Sequence, residues 1–446
     1  METSKRAFNR FTATDGAIAS ALFVFAVAIL EVGMHWSNAG SSRVHIDTPA
    51  SQPWWKNRHD NHTCRHGNAT LRLFATNETA SPPEGAAAGP PKLVLLWTQI
   101  SGQEWFPRYG AAPFAGCRVS NCAATRDHSL IKRADAVVMN FFNVQRHSLP
   151  AYYSPRQRWV FYLREPASHT YLKVRSLRGF DGAFNWTMTY RLDSDVPTAY
   201  GAFRRRAAAV DYDTDVARRK SKFAAWFATR CPTKSRREEV VAELRQYVDV
   251  DTYGRAEGRC NQTRCDDCDW DAMLDDDYRF YLAFENGLCR DYVTEKLYRG
   301  LTHDVVPVTL GGVDYARHAP PGSYIDARDF DSVKALADHL LAVAANETLY
   351  NAYFDWKRRY VVGEQKPAPW CRLCEKLNDD GEPAKIYEDL TRWWVDDARC
   401  ETYVGEQDGH MNFAPTFEVF TYSKKGHRTR RRAASLGDRP VRMSEA

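Results

Sequence analysis

The chain has 446 residues, of which 44% are hydrophobic and 13% aromatic, and a formal net charge of +5. This composition excludes a wholly disordered chain and provides for a sizeable core, and the length allows two or three domains. The basic run at 424–432 contains no aromatic residue, so it predicts a basic tail and not a nucleic-acid-binding surface.

Residues 16–34 are predicted to form a transmembrane signal anchor. They are uncharged except for Glu31. At 1.5 Å per residue, residues 16–30 span roughly 22 Å and residues 16–34 roughly 28 Å, which suits a thin membrane. Three cations precede them: Lys5, Arg6 and Arg10. The positive-inside rule therefore predicts that 1–15 is a cytoplasmic tail and that the body is lumenal. A cleaved signal peptide is the alternative interpretation.

Residues 35–91 show no sustained hydrophobic period and are predicted to form an exposed lumenal stem. Six Asn-X-Thr sequons predict N-glycosylation in the stem and body: Asn61, Asn68, Asn77, Asn185, Asn261 and Asn346. Because an oxidising lumen favours disulfides, most of the 11 cysteines should be paired, and the odd total leaves at least one outside an intramolecular pair.

Two Cys-X-X-Cys motifs also have the spacing of zinc ligands. They are Cys265 with Cys268 and Cys371 with Cys374. The lumenal compartment favours disulfides at these positions, and a structural zinc site is the alternative.

Apolar runs at 93–97, 136–139 and 159–163 predict strands that alternate with helices in a first α/β domain at 92–215. A charged segment at 204–222 lacks a strand pattern and marks the domain boundary. The same alternation predicts a second α/β domain at 216–362. Its predicted strands are 223–228, 248–253, 280–284 and 305–310. Its predicted helices are 236–247, 291–301, 331–344 and 346–360. Residues 363–400 are predicted to be a Cys-containing C-terminal segment and 401–446 a disordered basic tail.

The most informative block is YRFYLAFENGLCRDYVTEKLYRGL at 278–301. A short apolar strand is followed by the turn dipeptide Asn286-Gly287 and then by an amphipathic helix. In such strand–helix–strand units, ligands bind beyond the carboxyl ends of the strands, where the helix start offers free amides and a partial positive charge. Glu295 and Lys296 lie in the predicted first turn, so the block predicts a phosphate-binding site. A solvated helix face is the alternative interpretation.

The segments FYLAFEN, DYVTEKLYR and VVPVTLGG resemble the signature of the α1,3-fucosyltransferases, and most closely that of invertebrate animal members. The resemblance continues through PPGSYIDARDF, LYNAYFDWK, FNWTMTYRLDSDVPTAYG and VDVDTYGR, and it covers roughly 92–374. It implies a Golgi type II membrane enzyme that moves L-fucose from GDP-fucose onto N-acetylglucosamine of glycans. It also implies two Rossmann-like domains that face a cleft, the B-type glycosyltransferase architecture.

The resemblance implies an inverting displacement with a carboxylate base. Glu165 is the candidate base because it stands in Arg164-Glu165-Pro166, where the family has a Glu-Ser-Pro element. This chain is one residue shorter there. A surface carboxylate beside Arg164 is the alternative role of Glu165.

The family pattern implies five donor-binding residues: Arg236, Arg279, Tyr292, Glu295 and Lys296. The three cations would hold the diphosphate, Glu295 would bind ribose hydroxyls, and Tyr292 would line the nucleotide site. Arg237 adjoins Arg236 and is an alternative counterpart.

Asp193 and Asp195 resemble the DxD motif that holds a metal–nucleotide in other glycosyltransferases, but such sites belong to a different architecture. The sequence therefore predicts no metal site and no required cofactor, with stimulation by Mn²⁺ left open. The resemblance further implies that Cys371 and Cys374 form disulfides, with Cys117 and Cys122 as the first candidate partners.

Two acceptors remain open within this class. Antenna N-acetyllactosamine-type (Lewis-type) glycans are slightly preferred, and the asparagine-linked core N-acetylglucosamine is the alternative. The shortened Glu-Pro element and FENG in place of the usual FENS leave a third possibility, a catalytically inactive homologue that binds glycan or nucleotide.

Overall fold

The computed structural model describes residues 90–98, 110–142, 149–170, 177–254, 263–264, 268–365, 368–416, 420–422 and 428–430. All of them belong to one compact unit, Arg58–Ala446. The predicted anchor at 16–34, the stem up to residue 89, and the sequons at Asn61, Asn68, Asn77 and Asn261 lie outside the described residues. Within the described ranges, no helix has the length and apolar character needed to cross a membrane.

The first sheet is parallel and lies in the amino-terminal half of the described chain. Its strands are β1 (Lys92–Leu96), β2 (Cys122–Thr125), β3 (Ala136–Asn140), β4 (Arg158–Leu163) and β5 (Trp186–Thr189). Their order is β2-β1-β3-β4-β5. The central strands β3 and β4 are almost wholly buried, as expected of parallel strands covered on both faces. A short helix, α1 (Ala167–Thr170), follows the carboxyl end of β4.

A second parallel sheet follows in the chain. Its strands are β7 (Lys222–Phe227), β8 (Val250–Gly254), β9 (Thr263–Arg264), β10 (Tyr278–Phe284), β11 (Val306–Leu310) and β12 (Ile325–Asp326). Their order is β12-β11-β10-β7-β8-β9. The helices of this region are α2 (Arg237–Leu244), α3 (Trp270–Asp276), α4 (Glu295–Thr302), α5 (Val333–Ala344) and α6 (Glu347–Ala352). These parallel sheets confirm the predicted α/β fold class.

Two predicted helices differ from those observed. The helix predicted at 291–301 begins at Glu295, because Asp291 has a φ of 61° and Thr294 caps the helix through its side chain. The helix predicted at 346–360 is divided into α6 and the 3-10 helix Asp355–Arg358. The chain then forms β13 (Tyr360–Gly363), which pairs antiparallel with β6 (Ala202–Arg205). The predicted boundary segment at 204–222 therefore begins in a strand.

Two disulfides connect the Cys-containing C-terminal segment with the first sheet. Helix α7 (Pro369–Leu377) carries Cys371, bonded to Cys117, and Cys374, bonded to Cys122. These are the four cysteines that the family resemblance singles out. Cys268 is also disulfide-bonded, so neither Cys-X-X-Cys motif offers the two thiolates of a zinc site.

The predicted disorder of 401–446 is wrong for residues 401–416. Strands β14 (Glu401–Gln407) and β15 (His410–Pro415) form a hairpin around Asp408-Gly409, and both turn residues have positive φ. Tyr403 is fully buried, and its hydroxyl donates to the Glu243 carboxylate. The Asp-Gly dipeptide is a hairpin signal that sequence reasoning missed. Further along, β16 (Phe420–Tyr422) pairs with β17 (Arg428–Arg430).

The two sequons within the described residues differ in accessibility. Asn185 is buried; its Oδ1 accepts from the Trp159 amide at 2.8 Å, and its Nδ2 donates to the Lys385 carbonyl at 3.0 Å. The folded structure therefore leaves little room for a glycan on Nδ2, and the glycosylation of Asn185 stays a prediction. Asn346 is exposed at the start of α6, where its Oδ1 accepts from the Leu349 amide, and its glycosylation stays a prediction.

Candidate functional site

The site is organised by Glu285, which directly follows β10 at the carboxyl edge of the second sheet. Its side chain is 1% exposed and accepts from the Thr294 amide at 2.8 Å and from the Thr294 hydroxyl at 2.9 Å. The Lys296 ammonium lies 3.1 Å from the second Glu285 oxygen. Burial raises the pKa of Glu285, and the Lys296 charge opposes that rise. Glu285 therefore fixes the residues that start α4.

Lys296 is a cation held at the start of α4. Its Nζ donates to Thr294 Oγ1 at 2.6 Å and lies 3.2 Å from the Glu295 carboxylate. Burial works to lower its pKa, but the charges of Glu285 and Glu295 outweigh burial and hold the pKa of Lys296 above its usual value. Its side chain is 16% exposed. A charged ammonium thus lies at the N-terminus of a helix, where the helix dipole also favours an anion, and this arrangement is suited to a phosphate.

Glu165 follows β4 at the carboxyl edge of the first sheet. One of its oxygens lies 3.3 Å from His169 Nδ1, and its side chain is 39% exposed. The hydrogen bond from His169 lowers the pKa of Glu165 against the effect of burial, and the charges of Arg230 and Lys296 add to this lowering. Glu165 is therefore a carboxylate near neutral pH, within electrostatic range of Lys296.

Direct packing joins the Glu165 region to the turn after β10. A Cβ at Gly287 would lie 2.7 Å from Ser168 Oγ and 2.8 Å from Pro166 Cγ. Cys289 Sγ is 3.6 Å from the same Ser168 hydroxyl. Only glycine permits this approach without displacement, so Gly287 sets the separation between the two carboxyl edges at this point.

Tyr292 lies in the buried wall of the site. It is 2% exposed and packs edge-on against Tyr190 at 4.8 Å and Tyr200 at 6.5 Å between ring centroids. Burial raises the pKa of Tyr292, and the charges of Glu165, Glu285 and Glu295 act in the same direction. The structure therefore brings together four of the predicted site residues: Glu165, Tyr292, Glu295 and Lys296.

Arg236 does not join them. Its backbone is left-handed with a φ of 55°, and its side chain contacts Glu239 at 2.6 Å and the Tyr403 carbonyl at 3.2 Å, toward the C-terminal hairpin. Arg237 is 3% exposed instead and donates to the Phe284 carbonyl at 2.5 Å, and its charge acts on both Glu285 and Lys296. The structure thus brings Arg237, the alternative counterpart, beside the site and not Arg236, and a donor-binding role for either arginine stays a prediction.

The structure also places Arg279 away from this cluster, and its donor-binding role stays a prediction. Arg279 is the second residue of β10, so it lies roughly 17 Å along the strand from Phe284 at about 3.3 Å per residue. Its guanidinium is 5.4 Å from the Tyr350 ring centroid. Arg279 therefore lies at the amino ends of the strands, and Lys296 lies beyond their carboxyl ends.

Glu285 and Thr294 are not among the predicted site residues, although the sequence carries a signal for each. Glu285 stands directly after a buried strand, and Thr294 precedes Glu295 and Lys296 as an N-cap residue would. Asn286 adds a further polar group. Its Oδ1 is buried and has no hydrogen-bond partner within the described ranges. A buried acceptor in this state is stabilised by a ligand that donates to it.

The acidic pair of the DxD-like motif is engaged in structural contacts. Asp193 accepts from Arg191 at 2.6 and 2.9 Å, and Asp195 accepts from the Lys385 ammonium at 2.7 Å. Across the described ranges, no group of three or more His, Cys, Asp or Glu side chains has the arrangement of a metal site.

Comparison with known proteins identifies the class. Residues 89–201 match the fucosyltransferase N-terminal family model, and residues 217–393 match the model of glycosyltransferase family 10 (fucosyltransferase) C-term. The protein is therefore a glycosyltransferase. Since the matches cover more than half of the chain, it belongs to glycosyltransferase family 10, the fucosyltransferases.

Individual relatives agree with this family. The chain is 36% identical over 348 residues to alpha-(1,3)-fucosyltransferase C of Drosophila melanogaster, covering 70% of this chain and 80% of that protein. It is 32% identical over 363 residues to alpha-(1,3)-fucosyltransferase 7 of Rattus norvegicus, covering 79% of this chain and 93% of that protein. It also aligns with a crystal structure of an alpha1,3-fucosyltransferase with GDP-fucose at a TM-score of 0.44 and 16% identity, covering 70% of this chain and 96% of that one.

Proposed function

We propose that this protein is an inverting α1,3-fucosyltransferase that uses GDP-fucose to fucosylate N-acetylglucosamine of glycans. The observation that carries the proposal is the cluster of Lys296, Glu285 and Thr294 at the start of α4, within electrostatic range of the Glu165 carboxylate. Family membership and the printed names of the relatives support the reaction class.

The proposed chemistry is a single displacement at the anomeric carbon of fucose. Glu165 accepts the proton of the acceptor hydroxyl as its oxygen bonds to that carbon, and the GDP oxygen departs with the electrons of the broken bond. Lys296, Arg237 and the amides that start α4 stabilise the charge that develops on the diphosphate. Glu295 is proposed to bind ribose hydroxyls. No cofactor is required in this scheme, and Mn²⁺ is expected at most to stimulate the reaction.

The proposed architecture is of the B type, with an acceptor-side domain at 92–215 and a GDP-fucose-binding domain at 216–362. The two family matches support this division, because one spans the first sheet and the other the second. We propose a type II location in the Golgi membrane with a lumenal body. The apolar run at 16–34 and the cations before it support that topology.

The proposed acceptor is an antenna N-acetyllactosamine-type glycan, and the alternative is the asparagine-linked core N-acetylglucosamine. A relative named glycoprotein 3-alpha-L-fucosyltransferase A, from Drosophila melanogaster, is 32% identical over 328 residues. The shortened element at Glu165-Pro166 favours a second class of function, a homologue that binds nucleotide without transfer.

One experiment separates these functions. The purified full-length chain is incubated with GDP-fucose and either N-acetyllactosamine or a trimmed N-glycan core, and GDP binding is measured in parallel. Transfer to N-acetyllactosamine is the expected result. Transfer to the core alone selects the alternative acceptor, and GDP binding without transfer identifies an inactive homologue.

A further inference from the structure

The C-terminal segment 398–415 packs against the candidate donor site, although it lies beyond both family matches, 89–201 and 217–393. It runs alongside the donor loop, which we define as residues 285–294, between β10 and α4. Only a turn and an isolated bridge interrupt the irregular backbone of this loop. Its conformation therefore depends on what surrounds it.

The first link between the two segments is covalent and is flanked by backbone pairing. Cys289 of the donor loop is bonded to Cys400, and both residues are buried. On either side, the Glu401 amide donates to the Leu288 carbonyl at 2.8 Å and the Arg290 amide donates to the Ala398 carbonyl at 2.8 Å. The disulfide is thus enclosed in a short antiparallel pairing that fixes the middle of the loop.

A second link runs through the turn that precedes α2. The Tyr403 amide donates to the Ser235 carbonyl at 3.1 Å, and the Ser235 amide donates to the Asn286 carbonyl at 3.2 Å. Since Asn286 begins the turn of the donor loop, the hairpin supports the loop at this point as well.

The opposite side of the loop is closed by the end of β11. A Cβ at Gly312 would lie 2.7 Å from the Leu288 carbonyl carbon, so backbone packs on backbone there. Arg328 joins this side to the C-terminal segment, because its Nη1 donates to the Gly311 carbonyl at 3.2 Å and lies 2.7 Å from the Glu401 carboxylate. The loop is therefore held between β11 and the segment 398–415.

We infer that residues 398–415 are a positioning element for nucleotide binding, which holds the donor loop in its binding conformation through the Cys289–Cys400 disulfide and the hairpin. The inference rests on the proposed function. Ordering a loop costs conformational entropy, and a loop that is already fixed does not incur this cost when the nucleotide binds. Releasing the loop should therefore weaken the binding of GDP-fucose and leave the binding of the acceptor largely unaffected.

The test compares two disulfides of the full-length chain. The double variant Cys289→Ala/Cys400→Ala should raise the KM for GDP-fucose about tenfold or more, with the acceptor KM changed by less than about twofold. The matched control is Cys122→Ala/Cys374→Ala, which removes a disulfide of the first sheet and should spare the donor KM. Glu401→Gln, a milder variant, should raise the donor KM about twofold because it removes one partly exposed ion pair.

The rate of amide hydrogen exchange at residues 286–294 reports on the donor loop itself. A loss of stability elsewhere in the protein would leave this rate unchanged. Faster exchange in Cys289→Ala/Cys400→Ala, reversed by saturating GDP, supports the positioning role. An unchanged donor KM in both the double variant and Glu401→Gln overturns it, as does an equal rise of donor and acceptor KM. A wild-type chain that neither binds GDP nor transfers fucose overturns the proposed function instead.

Discussion

Replacing Lys296 by Met tests the ion pair between Lys296 and the buried Glu285 carboxylate. The substitution keeps the apolar stem of the side chain and removes the ammonium that lies 3.1 Å from Glu285. Glu285 is 1% exposed, so its carboxylate would remain buried with Thr294 as its remaining donor. Two effects follow, one on stability and one on donor binding.

The stability effect is large because a buried ion pair loses one partner. Such losses cost about 3–5 kcal/mol, and the Thr294 hydrogen bonds favour the lower end of this range. In the variant the pKa of Glu285 rises further above its unfolded value of about 4.3. The penalty is therefore present at neutral pH and disappears as the pH falls through the folded pKa, where Glu285 takes up a proton.

Thermal unfolding at several pH values, together with donor kinetics, checks both effects. Lys296→Met should be least stable relative to wild type near neutral pH and should recover as the pH is lowered and Glu285 takes up a proton. Glu285→Gln/Lys296→Met should regain stability but retain a donor KM roughly 10- to 100-fold above wild type, because a charge-assisted contact with phosphate is still missing. A stability deficit that is independent of pH, or a donor KM equal to that of wild type, would refute this reasoning.

Three further predictions concern the Glu165 side of the site. Glu165→Gln should lower kcat by about 100-fold or more while GDP binding in calorimetry stays intact, and an active variant would place the base elsewhere. His169→Ala removes the hydrogen bond that lowers the pKa of Glu165, so the acidic limb of the pH–rate profile should move to higher pH; an unmoved limb contradicts the assignment. Gly287→Ser places a Cβ 2.7 Å from Ser168 Oγ and should cost about 1–3 kcal/mol of stability together with activity, whereas a variant with the wild-type melting temperature would show that this contact can relax.

The strands and the helix start that carries Lys296 can be predicted from the sequence, and the reason is physical. Buried parallel strands are continuous apolar runs, so β4 and β10 are recognisable within a residue or two of their observed bounds. A strand followed by Asn286-Gly287 and an amphipathic run indicates a turn and a helix start, which is where the structure holds Lys296.

The remaining features depend on tertiary position, which a local pattern does not encode. Arg236 and Arg237 are adjacent, and the left-handed backbone at Arg236 decides which of them is buried beside Glu285. Arg279 is close in sequence to Glu285, but Arg279 lies near the amino end of β10 and Glu285 follows its carboxyl end, so the length of the strand separates them. Residues 185–187 match the N-glycosylation sequon, but only the packing of the folded chain shows that the Asn185 side chain is buried.

The disulfides of helix α7 have a consequence for how the protein is made. They join residues 254 and 252 positions apart, and almost the whole body lies between the bonded partners. The region around β2 therefore emerges from the ribosome long before its covalent partners are synthesised. Cys117 and Cys122 therefore have no bonded partner until the C-terminal segment is made, and a truncation that removes Cys371 and Cys374 would leave both of them unpaired.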